Sequence, residues 1–132
     1  MKKLNNKGFT LIEIVIVIVI IAILAAMLVP SLTQWIDKSK MKTFTSACGT
    51  IRTAVASQLS EKYATDSSVT FSSLNSDDWA IISNDVGKTV NSGTNASGGA
   101  YAVTATNGID NGFTVTDGKF TGVWNGSAWN VN

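Results

Sequence analysis

The chain has 132 residues, ten Lys plus Arg against nine Asp plus Glu and a net charge of +1. That leaves room for one modest globular core and supplies none of the basic excess that nucleic-acid binding requires. Charged residues make up 14 % and hydrophobic residues 45 %, so part of the chain must avoid water. With no His and a single Cys, metal clusters, Ser-His-Asp and Cys-His catalytic sets and an internal disulfide are excluded, and no catalytic residue, metal or cofactor is expected.

The apolar excess has one address. Lys2, Lys3 and Lys7 precede a stretch in which every residue from Ile14 to Val29 is apolar, with Phe9, Leu11 and Ile12 extending it upstream. The 21 residues from Phe9 to Val29 make a helix of roughly 31 Å, close to the hydrocarbon thickness of a bilayer. Ile and Val favour strands in water, but a lone strand in lipid leaves its backbone unpaired, so the environment selects helix. Lys38, Lys40 and Lys42 follow the run, opposed only by Asp37, and charge bias leaves the orientation open. A basic leader before an apolar stretch, with Leu24-Ala25-Ala26 as a cleavage site, also reads as a secretory signal for an exported soluble protein.

Two features count against that signal. Glu13 lies inside the apolar stretch, where an acid costs about 2–3 kcal/mol at mid-membrane depth and gives an export signal nothing in return. The apolar pattern also continues past Pro30: Leu32, Trp35 and Ile36, then Phe44, Ala47, Cys48, Ile51, Ala54, Val55, Leu59 and Tyr63 recur at spacings of three and four. One long helix is predicted, of lipid type in its first half and amphipathic in its second. Pro30 removes a helical hydrogen bond, so a kink or local melt is expected there.

Lys7-Gly8-Phe9-Thr10-Leu11-Ile12-Glu13 followed by an unbroken apolar helix resembles the processing motif of the type IV pilins and pseudopilins. The resemblance is specific from Met1 to about Pro30 and architectural beyond it. It implies a leader, residues 1–8, removed by a prepilin peptidase that cuts between Gly8 and Phe9 and methylates the new Phe9 amine. It further implies a membrane and filament-core segment, residues 9–30, and a head, residues 31–132. Glu13 and Phe9 are then the assembly residues, the Glu13 carboxylate meeting the N-terminal ammonium of a neighbouring subunit. Pro30 matches the family's spine proline, whereas Ala22 stands where many members carry Gly, which stiffens that stretch by about 1 kcal/mol. Loss of the leader lysines leaves seven basic and nine acidic side chains, and cleavage supplies one new cation. The alternative for Glu13 is a carboxylate that snorkels to the interface near the helix start.

The head divides into the second half of the helix, 31–65, a loop with a short helix, 66–100, and an antiparallel β-meander, 101–132. Asn75 or Ser76 caps a helical turn at 77–82, where Asp77 and Asp78 suit the dipole and Trp79, Ile81 and Ile82 face inward. The stretch 91–99, rich in Ser, Asn and Gly, reads as a loop. Asn107-Gly108, Asn111-Gly112, Asp117-Gly118 and Asn125-Gly126 signal hairpin turns with positive φ at both central positions. They separate strands at 101–106, 113–116, 119–124 and 127–131. Phe120, Trp124, Trp129 and Val131 fall on one face, which is expected to meet Phe44, Cys48, Ile51 and Val55 of the helix; an exposed sugar-binding or adhesion stripe is the other use of those aromatics. The fold class is therefore α+β, a long N-terminal helix packed on a small antiparallel sheet, as the pilin resemblance also implies.

Cys48 reads as a small buried hydrophobe. Asp110, Asn111 and Asp117 sit as a calcium loop would place oxygen ligands, but the spacing is not that of an EF-hand and turn formation accounts for all three, so no metal is assigned. The sequence as a whole reads as a structural subunit, a major pilin, of a homo-oligomeric filament serving adhesion, motility or biofilm formation. It is inserted in the cytoplasmic membrane as a precursor and displayed on the cell surface after assembly. Its partners would be like subunits, the prepilin peptidase, and the assembly platform with its ATPase; no specific nucleic acid is expected. The alternatives are a minor pilin or pseudopilin of a type II secretion or competence system, and a membrane-anchored binding module that never polymerises.

Overall fold

The structure, a computed structural model, describes residues 8–132 except Ser97, Gly99 and Asn107. Its elements are a long helix α1 (Leu11–Tyr63), a short 3-10 turn (Phe71–Ser73), a helix α2 (Ser76–Val86), and strands β1 (Val90–Ser92), β2 (Tyr101–Ala105), β3 (Phe113–Thr116), β4 (Thr121–Trp124) and β5 (Trp129–Val131). The chain forms two compact units, the first ending at Ser39 and the second beginning at Lys40, and each is taken here by itself.

In the first unit α1 is continuous across Pro30, although that residue has no N–H to offer the carbonyl one turn earlier. The Thr33 hydroxyl donates to the Pro30 carbonyl at 3.0 Å. Every described residue up to Ser39 is exposed, and α1 is long and apolar enough here to cross a membrane.

The second unit owes its core to the helical repeat. Phe44, Cys48, Ile51 and Val55 are buried on one face of α1 as expected, joined by Ala54 and Gln58. Opposite them stands a five-stranded sheet in the order β1-β2-β3-β4-β5. Val90, Val103, Phe113 and Val115 from its inner face and Ile82 from α2 are fully or almost fully buried. Phe120, Trp124, Trp129 and Val131 pack around this core, Phe120 with its ring 5.7 Å from Phe44 and Trp129 with its ring 6.1 Å from Phe113.

Three expectations need correction. The sheet is mixed: β1, inside the stretch read as a loop, pairs parallel to β2 with Val90 opposite Tyr101. Its polar composition hides it, and what holds it is tertiary, since Val90 is 1 % exposed and the Ser83 hydroxyl, donating to the Trp79 carbonyl at 2.6 Å, accepts from the Val90 N–H at 2.9 Å. Ile81 is exposed, because the inward stripe of α2 runs Trp79, Ile82, Val86 at helical spacing and Ile81 stands off it. The turns are not of the type with two positive φ values: Gly112, Gly118 and Gly126 have positive φ, while no described non-glycine residue does. Instead Asp117 Oδ1 accepts from the N–H of Lys119 and Phe120, and Asn125 Oδ1 from the N–H of Ser127 and Ala128. These side-chain-closed turns use more residues than a two-residue hairpin, so β4 and β5 begin later than the alternation indicates. The expected Asn107-Gly108 turn and parts of the 91–99 loop fall on Asn107, Ser97 and Gly99, which lie outside the described residues.

Polar links fix the periphery. Asn75 caps α2, its Oδ1 accepting from the N–H of Asp77 and Asp78, while Asp78 Oδ2 accepts from the Asn75 N–H at 2.7 Å. Lys62, near the end of α1, reaches the same Asp78 oxygen at 2.8 Å. Burial opposes the charge on Asp78, but the Lys62 ammonium and the Asn75 N–H outweigh it and hold the carboxyl below its ordinary range. Arg52 Nε donates to the Ile109 carbonyl at 2.8 Å, its guanidinium pairs with Asp110 at 3.3 Å and lies 4.6 Å from the Trp124 ring centre.

At Gly122 the sheet leaves no room for a side chain against the helix. A Cβ built there would stand 2.9 Å from Cys48 Sγ, 3.3 Å from Trp129 Cε3 and 3.4 Å from Phe44 Cε1. Gly122→Ala is expected to destabilise the fold by about 1–3 kcal/mol through overpacking. Cys48→Ala in the same chain should relieve part of that loss, leaving a coupling of about 1 kcal/mol in a double-mutant cycle of urea unfolding; strictly additive effects would show that the two sites do not touch.

Candidate functional site

The residues expected to serve assembly, Phe9 and Glu13, lie at the start of α1. Gly8 and Phe9 precede the helix, Phe9 is 82 % exposed, and Thr10 is the last residue before the first helical position, Leu11. The leader lysines Lys2, Lys3 and Lys7 lie outside the described residues.

A helix start leaves its first N–H groups without partners, and here the sequence answers with a reciprocal pair. The Glu13 N–H donates to Thr10 Oγ1 at 3.3 Å, and Glu13 Oε2 accepts from both the Thr10 N–H and the Thr10 hydroxyl, each at 2.7 Å. This is a capping box. Its signal is Thr-x-x-Glu before an apolar run, residues 10–13, and it gives Thr10 a role beside the pairing or snorkelling expected of Glu13. All of the hydrogen bonds that Glu13 accepts fall on Oε2; Oε1 makes none among the described residues.

The arrangement has a chemical consequence. In the uncut chain the Phe9 nitrogen is a peptide amide and carries no charge; only cleavage after Gly8 makes it an ammonium. Glu13 is thus a carboxylate held at a fixed rotamer, half satisfied by its own chain and open on one oxygen to an external donor. Behind it every residue from Ile14 to Val29 is exposed, an apolar surface that one copy has nothing to bury against.

The remaining candidates resolve differently. Cys48 is buried, and burial, with the charge of Asp117, pushes its thiol up to about 12, so it behaves as a small hydrophobe. Asp110 and Asp117 are engaged by Arg52 and by turn amides, and no group of three or more Cys, Asp or Glu is gathered among the described residues.

The family signature of the prokaryotic N-terminal methylation motif matches residues 3–29 of the chain. Three sequences described as type IV major fimbrial protein FimA, from Dichelobacter nodosus, are 44–47 % identical to it over 55 residues. That alignment covers 42 % of this chain and 34–35 % of each relative, so the chain spans about a third of the length of the curated relatives it matches. No solved structure matches the chain significantly.

Proposed function

We propose that the chain, whose N-terminal segment carries the methylation motif and is similar to type IV major fimbrial proteins, is a type IV pilin and the major subunit of a surface filament. A prepilin peptidase removes residues 1–8 by cutting between Gly8 and Phe9 and methylates the new Phe9 amine. Residues 9–30 hold the subunit in the cytoplasmic membrane until an ATPase-driven assembly platform extracts it, and the same helix then packs in the filament core at the cell surface. Pro30 lets α1 bend as subunits close together. The head, residues 31–132, faces outward, where it serves adhesion, motility or biofilm formation without turning over a substrate.

One observation carries this reading: a carboxylate whose Oε1 makes no hydrogen bond among the described residues, held by Thr10 at the head of the apolar stretch from Ile14 to Val29, every residue of which is exposed. A neighbour's Phe9 ammonium gives that oxygen a counter-charge and a hydrogen bond that offset the desolvation of both groups, and burial of the stripe between copies contributes about 25 cal/mol per Å². The relatives named as major fimbrial proteins favour the major over the minor subunit. Mass spectrometry of the mature protein is expected to find N-methylphenylalanine from Phe9 at the N-terminus, and this chain as the dominant component of sheared fibres. A mature product that still begins at Met1, or one cut after Ala26, removes the proposal; a trace component of fibres makes it a minor subunit.

A further inference from the structure

Some charges of the second unit are paired within it, and among the others three lie on or beside one helix face. Arg52 with Asp110 and Lys62 with Asp78 are paired within the chain. Lys42, Glu61 and Asp85 are exposed and make no ion pair among the described residues. These three are not scattered. Lys42, Ser46, Thr50, Thr53, Ser57 and Glu61 follow one another at steps of three and four, so they run down a single face of α1, and all six are exposed. Beside the middle of that face α2 supplies Asp85, which with Thr50, Thr53, Ala54 and Ser57 lines a groove of about 460 Å³. The face therefore carries a cation at one end, carboxylates at and beyond its middle, and small hydroxyl side chains between them that allow close approach of another helix.

We propose that this face is a second subunit contact in the filament, in which Lys42 of one copy enters the groove of another copy and pairs with its Asp85 and Glu61. The inference rests on the filament reading and extends it by naming a charge contact in the head. Three features select a second copy of this chain as the occupant. Cation and carboxylates lie on the same helix face, so one surface is complementary to itself when displaced along its axis. All subunits of a filament point the same way, and a displaced parallel contact of this kind is heterologous and propagates. The face also belongs to α1, the helix whose apolar part the filament reading covers with other subunits.

The displacement is informative. Bringing Lys42 level with the stretch from Ala54 to Glu61 shifts one copy by about 18–28 Å at 1.5 Å per residue, whereas pairing Phe9 with Glu13 shifts it by about 6 Å. The two contacts are therefore made to different neighbours, so every subunit is tied along the fibre at two ranges.

The test is charge reversal and exchange in the full chain, expressed with its assembly machinery. Lys42→Glu is expected to lower fibre yield more than about fivefold and to make the remaining fibres sensitive to salt. Lys42→Glu combined with Asp85→Lys and Glu61→Lys should restore both. Unchanged fibres in the Lys42→Glu chain overturn the proposal, and so does a loss that the exchange fails to repair. Lys42→Cys and Asp85→Cys chains carrying different tags provide a second readout, since buried Cys48 does not compete for the reagent. A mixed-tag cross-linked dimer in fibres supports the contact; cross-linking no stronger than for a Lys42→Cys and Asp66→Cys control overturns it. If the parent chain makes no fibre at all, the filament reading itself fails, and cross-linking of the same tagged pair in membranes then decides the contact alone.

Discussion

Glu13→Gln is expected to leave cleavage after Gly8 intact and to abolish fibres. The substitution keeps the side chain that a capping box needs, since Gln serves at the third helical position as well as Glu, while it removes the charge. The Phe9 ammonium of a neighbour would then be buried without a counter-charge, which costs about 3–5 kcal/mol, or roughly two to four orders of magnitude in each subunit-addition step. Thr10→Ala does the converse. It keeps the acid and removes the hydroxyl that pins it (2.7 Å to Glu13 Oε2), a loss of about 0.5–2 kcal/mol confined to the first turn of a 53-residue helix. Shorter or fewer fibres are expected, not their absence. Counting fibres by electron microscopy beside a blot for the cut form separates the two roles. Normal fibres in Glu13→Gln together with none in Thr10→Ala would mean that Glu13 acts only as a helix cap.

Phe113→Ala should be the most damaging change in the head. Phe113 is fully buried, with its ring 6.2 Å from Phe71 and 6.1 Å from Trp129 in edge-to-face contacts. Truncation removes an aromatic side chain and leaves a cavity, a loss of about 3–5 kcal/mol against the roughly 5–15 kcal/mol that holds a typical domain folded. Urea unfolding followed by Trp fluorescence is expected to show a collapse of the midpoint. The leader cut, made at Gly8 at the other end of the chain, should continue. A shift below about 1 kcal/mol would show that the sheet can collapse into the space, contrary to the close packing around Phe113.

What the sequence disclosed, it disclosed through period and chemistry. Phe44, Cys48, Ile51 and Val55 repeat at helical spacing and all prove buried; the β3 strand, Phe113–Thr116, lies where alternation puts it. Asn75 caps α2 because an Asn ahead of two acids is a strong start signal. β1 escaped notice because nothing local favours it: three residues, one of them apolar, held by a hydroxyl from a helix seven residues earlier. The depth of Phe113, Val103 and Val90 in the core was equally hidden, since alternation tells two faces apart without telling how closely each is covered. At the site the residue type of Glu13 was plain from its apolar surroundings. Its hydrogen-bonded orientation was not read, although Thr10 three positions earlier carried that information.

The single oxygen of Ser83 has a bearing on how such molecules crowd together. A sheet whose outer backbone is bare invites a foreign strand to add itself, and proteins displayed at high density on a fibre face that hazard constantly. By accepting from the outward N–H of Val90, Ser83 withdraws one donor of this margin from within its own fold. Addition of a foreign strand is thereby disfavoured at Val90, the most buried residue of that edge.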